Sequence, residues 1–187
     1  MKKNNKLLFN SVNSYFNNDD SINKLIDIIK NKKLSIRIID WFVSNYSKKI
    51  GSQYIIYKDS NGKLTLNVTD NIYKHINVHH SYKCQLKSFS KKYFDPFCRR
   101  SRIDFKYNDK NIKSTLGQLN FFKWAFDNLI TEYILINYQS IENDMNLSFS
   151  NVKKQKKLNI RKKRQELSKS ASRGLLKYNS PIKVDFD

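Results

Sequence analysis

The chain has 187 residues, 39% of them hydrophobic and 13% aromatic, which is enough for one domain with an aromatic-rich core and an extension. Thirty-six Lys and Arg against sixteen Asp and Glu give a formal charge of +20, so the partners to expect are polyanions. No run of about 18 apolar residues is present, which excludes a transmembrane helix, and two cysteines exclude a secreted disulfide framework.

Met1-Lys2-Lys3-Asn4-Asn5 leads into no apolar signal segment, so we expect a soluble, unsecreted protein and a flexible stretch over 1–18. Asp19-Asp20-Ser21 offers capping oxygens, and Ile22, Leu25, Ile26 and Ile29 follow at helical spacing to about Lys30. Leu34, Ile38, Trp41, Phe42 and Tyr46 suit a second helix, although Leu34-Ile36-Ile38 also alternates as a strand does. Gln53 to Asp59 reads as a strand, Ser60-Asn61-Gly62-Lys63 as a tight turn, and Leu64, Leu66 and Val68 as the returning strand. Asp95-Pro96 interrupts any helix through that segment, and Arg102 to Tyr107 reads as a further strand with Ile103, Phe105 and Tyr107 on one face.

Ser114-Thr115 can cap a helix from Leu116 through Phe126 that is apolar nearly all round, the expected central core helix. Asp127-Asn128 turns the chain into another helix carrying Ile130, Ile134, Tyr138 and Ile141; two core helices or a helix-turn-helix-like pair both fit. Asn143 to Val152 reads as a polar linker. A basic segment follows that is helical from about Lys153 to Ser172 with Gly174 as cap, and Ile182, Val184 and Phe186 alternate as a short terminal strand. The expected class is α+β: a small antiparallel sheet with a central aromatic-rich helix pair and a basic C-terminal extension. The globular part spans 19–146, the basic linker or helix 147–178 and the terminal strand 179–187.

Between Lys153 and Lys177 lie eleven Lys and Arg against one acid, Glu166. Its two clusters are Lys153, Lys154, Lys156 and Lys157, then Arg161, Lys162, Lys163 and Arg164. Unpaired ammoniums cost several kcal/mol each to bury, so this block faces water or a polyanion. Asn, Lys, Ile, Tyr and Phe are abundant and alanine is scarce, as AT-rich coding produces, but that bias does not cluster lysines or thin the chain to three glutamates.

From Ser81 to Arg102, cations alternate with aromatics. Lys83, Lys87, Lys91, Lys92, Arg99, Arg100 and Arg102 can neutralise phosphates, and Tyr93 can stack on an unpaired base. The competing reading is that the aromatics fill the core while the cations line a solvated face. His75, His79, His80, Cys84 and Cys98 fall within 24 positions, and His80 with Cys84 has the spacing of two zinc ligands on one helix face. The spacing fits no common zinc module, so no metal and no cofactor is expected. With four glycines and no phosphate-loop, dinucleotide or zinc-protease motif, no enzyme is expected either.

Three stretches carry a resemblance: Asp40 to Lys49, Ser81 to Arg100, and Thr115-Leu116-Gly117-Gln118-Leu119-Asn120-Phe121-Phe122-Lys123-Trp124-Ala125. Together they resemble an uncharacterised protein family of the large nucleocytoplasmic (giant) DNA viruses, over about residues 35 to 187. The resemblance implies a viral setting, in the host cytoplasm or the virion, and brings no catalytic residues with it. The expected function is a nucleic-acid-binding accessory or packaging role on DNA or RNA through phosphate contacts. The alternative is a virion structural or scaffold protein whose basic tail binds other virion proteins or an acidic membrane surface. The basic clusters also resemble a bipartite nuclear-localisation signal, which would direct the protein to the host nucleus.

Overall fold

A computed structural model describes residues 3–30, 34–107 and 110–157. The chain divides into two compact units, 1–148 and 149–187. The first is built from α1 (Lys3–Tyr15), α2 (Asp19–Ile29), α3 (Ile36–Trp41), a π-helical turn (Phe42–Tyr46), α4 (Ser47–Ile50), β1 (Gln53–Lys58), β2 (Leu64–Thr65), β3 (Ile72–Asn77), α5 (Val78–Tyr93), β4 (Arg102–Tyr107), β5 (Lys110–Thr115), α6 (Leu116–Asp127), α7 (Ile130–Ile136) and the start of α8 (Tyr138–Lys157). The class is α+β, as expected.

Most of the stretch expected to be flexible over 1–18, residues 3–15, instead forms α1. Leu8, Val12, Tyr15 and Phe16 recur at i, i+4, i+7 and i+8, one helical face. Val12 and Phe16 are fully buried, Phe16 edge-on to Phe105 and Phe126. Asn-rich spacing between those apolar residues disguises the stripe. The cap of α2 is Asn18, whose side chain accepts from Ser21 N, rather than the aspartates that follow it. The expected helix over 34–46 is present and runs on to Ile50 with a π-helical turn inside it, burying Phe42 and Val43.

β1 pairs with β2 on one side and β3 on the other, all antiparallel, in the order β2-β1-β3. The expected turn closes the β1–β2 hairpin in register Lys58↔Leu64, with Gly62 at φ 74° and the Asp59 carboxylate accepting from Asn61 N and Lys63 N. The return strand stops at Thr65, and Val68, expected on it, is 84% exposed. β4 spans the predicted residues and pairs with β5 in a separate two-stranded ribbon, Phe105↔Ile112.

α6 is the core helix. Thr115 caps it by accepting from Gln118 N, and Leu119, Phe121, Phe122 and Ala125 have no exposed surface. Leu129, left-handed at φ 50°, turns the chain into α7. The stretch Asn143–Val152, read as a linker, lies inside α8 instead. Ile141 and Met145, four residues apart and buried, bring its first turns into the core. The terminal strand Ile182–Phe186 and the basic segment past Lys157 lie outside the described residues.

Candidate nucleic-acid interface

Asn77 starts α5 by accepting from His80 N. Val78 and Tyr82 are buried, with Leu86 and Phe89 packed against the core, so one face of α5 is spent on packing. At 3.6 residues per turn Lys83 and Lys87 fall on the opposite side, and both are exposed. On α5 the apolar side chains thus pack inward and the cations lie on the exposed face, the arrangement of the competing reading. Burial lifts the Tyr82 hydroxyl to about 12, helped by the carboxylates of Asp40 and Asp95.

The helix breaks at Ser90, whose φ of 55° and ψ of 169° lie in a region almost reserved for glycine. Its hydroxyl accepts from Lys92 N, which redirects Lys91 and Lys92 away from the axis they would otherwise follow. Lys92 then lies over the Tyr93 ring at 5.2 Å. From Phe94 the chain is held down by α6. Asn120 Nδ2 donates to Tyr93 O, Gln118 Nε2 to Pro96 O, and Asp95 N to Gly117 O. Gly117 is required here, because a Cβ would stand 3.0 Å from Lys92 O and 3.3 Å from the Tyr93 carbonyl carbon.

This clamp brings Lys92, Tyr93 and Arg100 around one cleft of about 240 Å3, walled by Ile103 and the first turn of α6. A helix N-terminus offers backbone N–H groups and positive potential, and two cations beside it suit a phosphate. Arg100 and Arg102 are exposed and, among the described residues, lie within ion-pair distance of no carboxylate.

Arg99 behaves otherwise. Its Nε and a terminal nitrogen donate to the two Asp95 carboxylate oxygens at 2.9 and 2.8 Å, and its guanidinium stacks 4.7 Å from the Phe97 ring. The fork that could have gripped a phosphate closes on a neighbour four residues back and pins the loop instead. Nearby, burial pushes the Asp40 carboxyl up, the Asp95 charge adds to it, and Arg99 and Lys91 oppose it.

Of the other sequence candidates, Lys153, Lys154, Lys156 and Lys157 lie on the last turns of α8, and Arg161, Lys162, Lys163 and Arg164 lie outside the described residues. The His and Cys cluster converges only in part. Cys84 Sγ is 3.6 Å from His80 Nε2, while His79 Nδ1 faces Val43 O. Among the described residues no group of three or more metal-ligating side chains forms. The helix-turn-helix alternative is not favoured, because α6 is buried almost all round and α7 carries no Lys or Arg. Sequence reasoning missed Gly117, Gln118 and Asn120, which set the loop; only the Asp95 and Arg99 spacing could have signalled the clamp.

Residues 1–162 match the model of DUF7197, a family of unknown function. The chain belongs to that family. The match begins at residue 1, earlier than the resemblance did, and so includes α1 and α2. "Uncharacterized protein L507" of Acanthamoeba polyphaga mimivirus is 43% identical over 143 residues, covering 73% of this chain. The chain spans about half the length of that relative, 50%. The giant-virus family that the sequence resembled is thus the one found. No solved structure matches. Among the described residues no helix is long and apolar enough to cross a membrane.

Proposed function

We propose that this DUF7197 protein is a non-enzymatic nucleic-acid-binding accessory or packaging protein of a giant virus, acting in the host cytoplasm or the virion. The observation that supports it best is the convergence of Lys92, Tyr93 and Arg100 on one cleft at the α6 N-terminus. Exposed Lys83, Lys87 and Arg102 extend the charge beyond that cleft, and the cluster from Lys153 to Arg164 supplies further phosphate contacts. Affinity comes from counterion release, so it is high at low salt and weakly sequence-selective. Tyr93 beside the cations favours single strands, whose bases are free to stack.

Fluorescence anisotropy of the full chain and of a chain ending at Val152, on single- and double-stranded DNA and RNA across a salt series, tests this. With about six phosphate contacts, binding weakens about a thousandfold between 50 and 200 mM salt. Binding that survives truncation and prefers single strands places the site on α5 and its loop. No binding to any nucleic acid at about 100 mM salt rejects the proposal.

A second reading, a virion scaffold docking on another protein, draws on exposed Leu135 and Ile136 of α7, 48% and 72% accessible. It predicts that a sequence-neutral polyanion such as heparin competes with partner binding far less than it would with nucleic acid.

A further inference from the structure

A cavity of about 540 Å3, within the ~300–1,000 Å3 range of small-molecule clefts, opens among α1, β3, α5 and α6. Its lining mixes two kinds of group. Lys74 and Lys123 come from β3 and α6, and each ammonium is held by a neutral oxygen: Lys74 Nζ donates to Asn128 Oδ1 at 2.6 Å, Lys123 Nζ to Ser11 Oγ at 2.8 Å. Neither lies within ion-pair distance of a described carboxylate, although Asp127 shares the wall and interacts with both at longer range. An anion arriving there exchanges two neutral acceptors for a charged one, turning each contact into a hydrogen-bonded pair of opposite charges.

The aromatic side is supplied by Tyr73, Phe89 and Trp124. Trp124 is fixed by its indole N–H, which donates to Ser81 Oγ at 3.0 Å. Gln85, also on the wall, makes no side-chain hydrogen bond among the described residues, so its donors and acceptor are open to a ligand. Two ammoniums do not suit an apolar ligand, and three rings are superfluous for a bare anion. A flat polar ring joined to a phosphate uses both.

We propose that this cavity binds a nucleoside monophosphate unit, with the phosphate between Lys74 and Lys123 and the base against the aromatic wall. The site is separate from the Lys92 and Arg100 cleft, and the inference does not depend on strand binding there. Asn120 links the two, since it lines the cavity and donates to Tyr93 O. The unit therefore has two sources, a free mononucleotide or one unstacked residue of a bound strand.

The chain has two tryptophans, so a nitrogen-15 correlation spectrum of the full protein resolves the indole signals of Trp41 and Trp124. Adenosine and cytidine monophosphates, inorganic phosphate and a short single strand are titrated in turn. The expected result is a saturable shift of the Trp124 signal with mononucleotide while Trp41 stays still. Lys123→Gln and Lys74→Gln each weaken it at least about tenfold, and Lys74, exposed on a strand, guards against a folding failure of the first variant. Arg100→Gln leaves the mononucleotide shift intact, which separates this site from the strand interface. A Trp124 shift seen only with the strand, and lost in Lys74→Gln, assigns the source to nucleic acid. No Trp124 shift with any mononucleotide at millimolar concentration or with the strand overturns the proposal, as does inorganic phosphate binding as tightly as the mononucleotides.

Discussion

Asp95→Asn separates the two roles that an arginine in this segment could have. The Asp95 side chain is 8% exposed and accepts both nitrogens of Arg99, whose own side chain is 63% exposed. An ion pair that open on one side contributes no more than about 1 kcal/mol. The amide keeps one oxygen for Phe97 N, now at 3.2 Å from Asp95 Oδ1, but turns an NH2 group towards a guanidinium that cannot accept, a further loss of about 1 kcal/mol. Part of this is returned, because the Asp40 carboxyl is relieved of the Asp95 charge. The net loss is about 1 kcal/mol, a fall of about 2–4 °C in melting temperature for a chain of this size. Near-ultraviolet circular dichroism reads it through the aromatic core. The same variant frees Arg99 for phosphate, so the salt slope of single-strand binding steepens by about 0.7. A melting temperature at or above the parent's, with an unchanged slope, would refute the clamp.

Phe16→Ala should cost about 3–5 kcal/mol, since a fully buried ring touching Phe105 and Phe126 is lost from the core; a chemical-denaturation shift under 1 kcal/mol, on the order of a surface change, would return α1 to the status of an appendage. Asp40→Asn should stabilise the protein at neutral pH. The Asp40 carboxyl is raised above 3.8 in the folded state, chiefly by burial, so its ionisation opposes folding once the pH climbs through that raised value. Below about pH 4 the group is protonated in both states and the gain should vanish. A gain that is constant across a pH series of thermal melts contradicts that origin.

Local chemistry made several elements legible: the Asn-Gly hairpin, the apolar run of α6 with its Thr115 cap, and the alternation in β4. What stayed hidden depends on tertiary partners. β3 shows only Ile76 buried, so it has no alternating signature and exists because β1 offers an edge. α1 and α8 are polar on average, and each is drawn into the fold by core residues one turn apart. These are Val12 with Phe16 just past the end of α1, and Ile141 with Met145 in the first turns of α8. In the candidate site, residue types were readable and their commitments were not. Arg99 and Arg100 are adjacent and chemically identical, yet one fork is closed on Asp95 and the other opens on the cleft. The three aromatics and two lysines of the 540 Å3 cavity come from three elements spread over positions 73 to 124.

The most direct test of the proposed strand-binding surface is the Lys92→Gln, Arg100→Gln double variant. Anisotropy titrations on a single strand over a salt series would compare it with the parent protein. Two phosphate contacts at about 0.7 each predict a log–log slope shallower by about 1.4, with an unchanged melting temperature. A slope equal to the parent's would remove the cleft from the interface and leave any binding to the basic cluster after Val152.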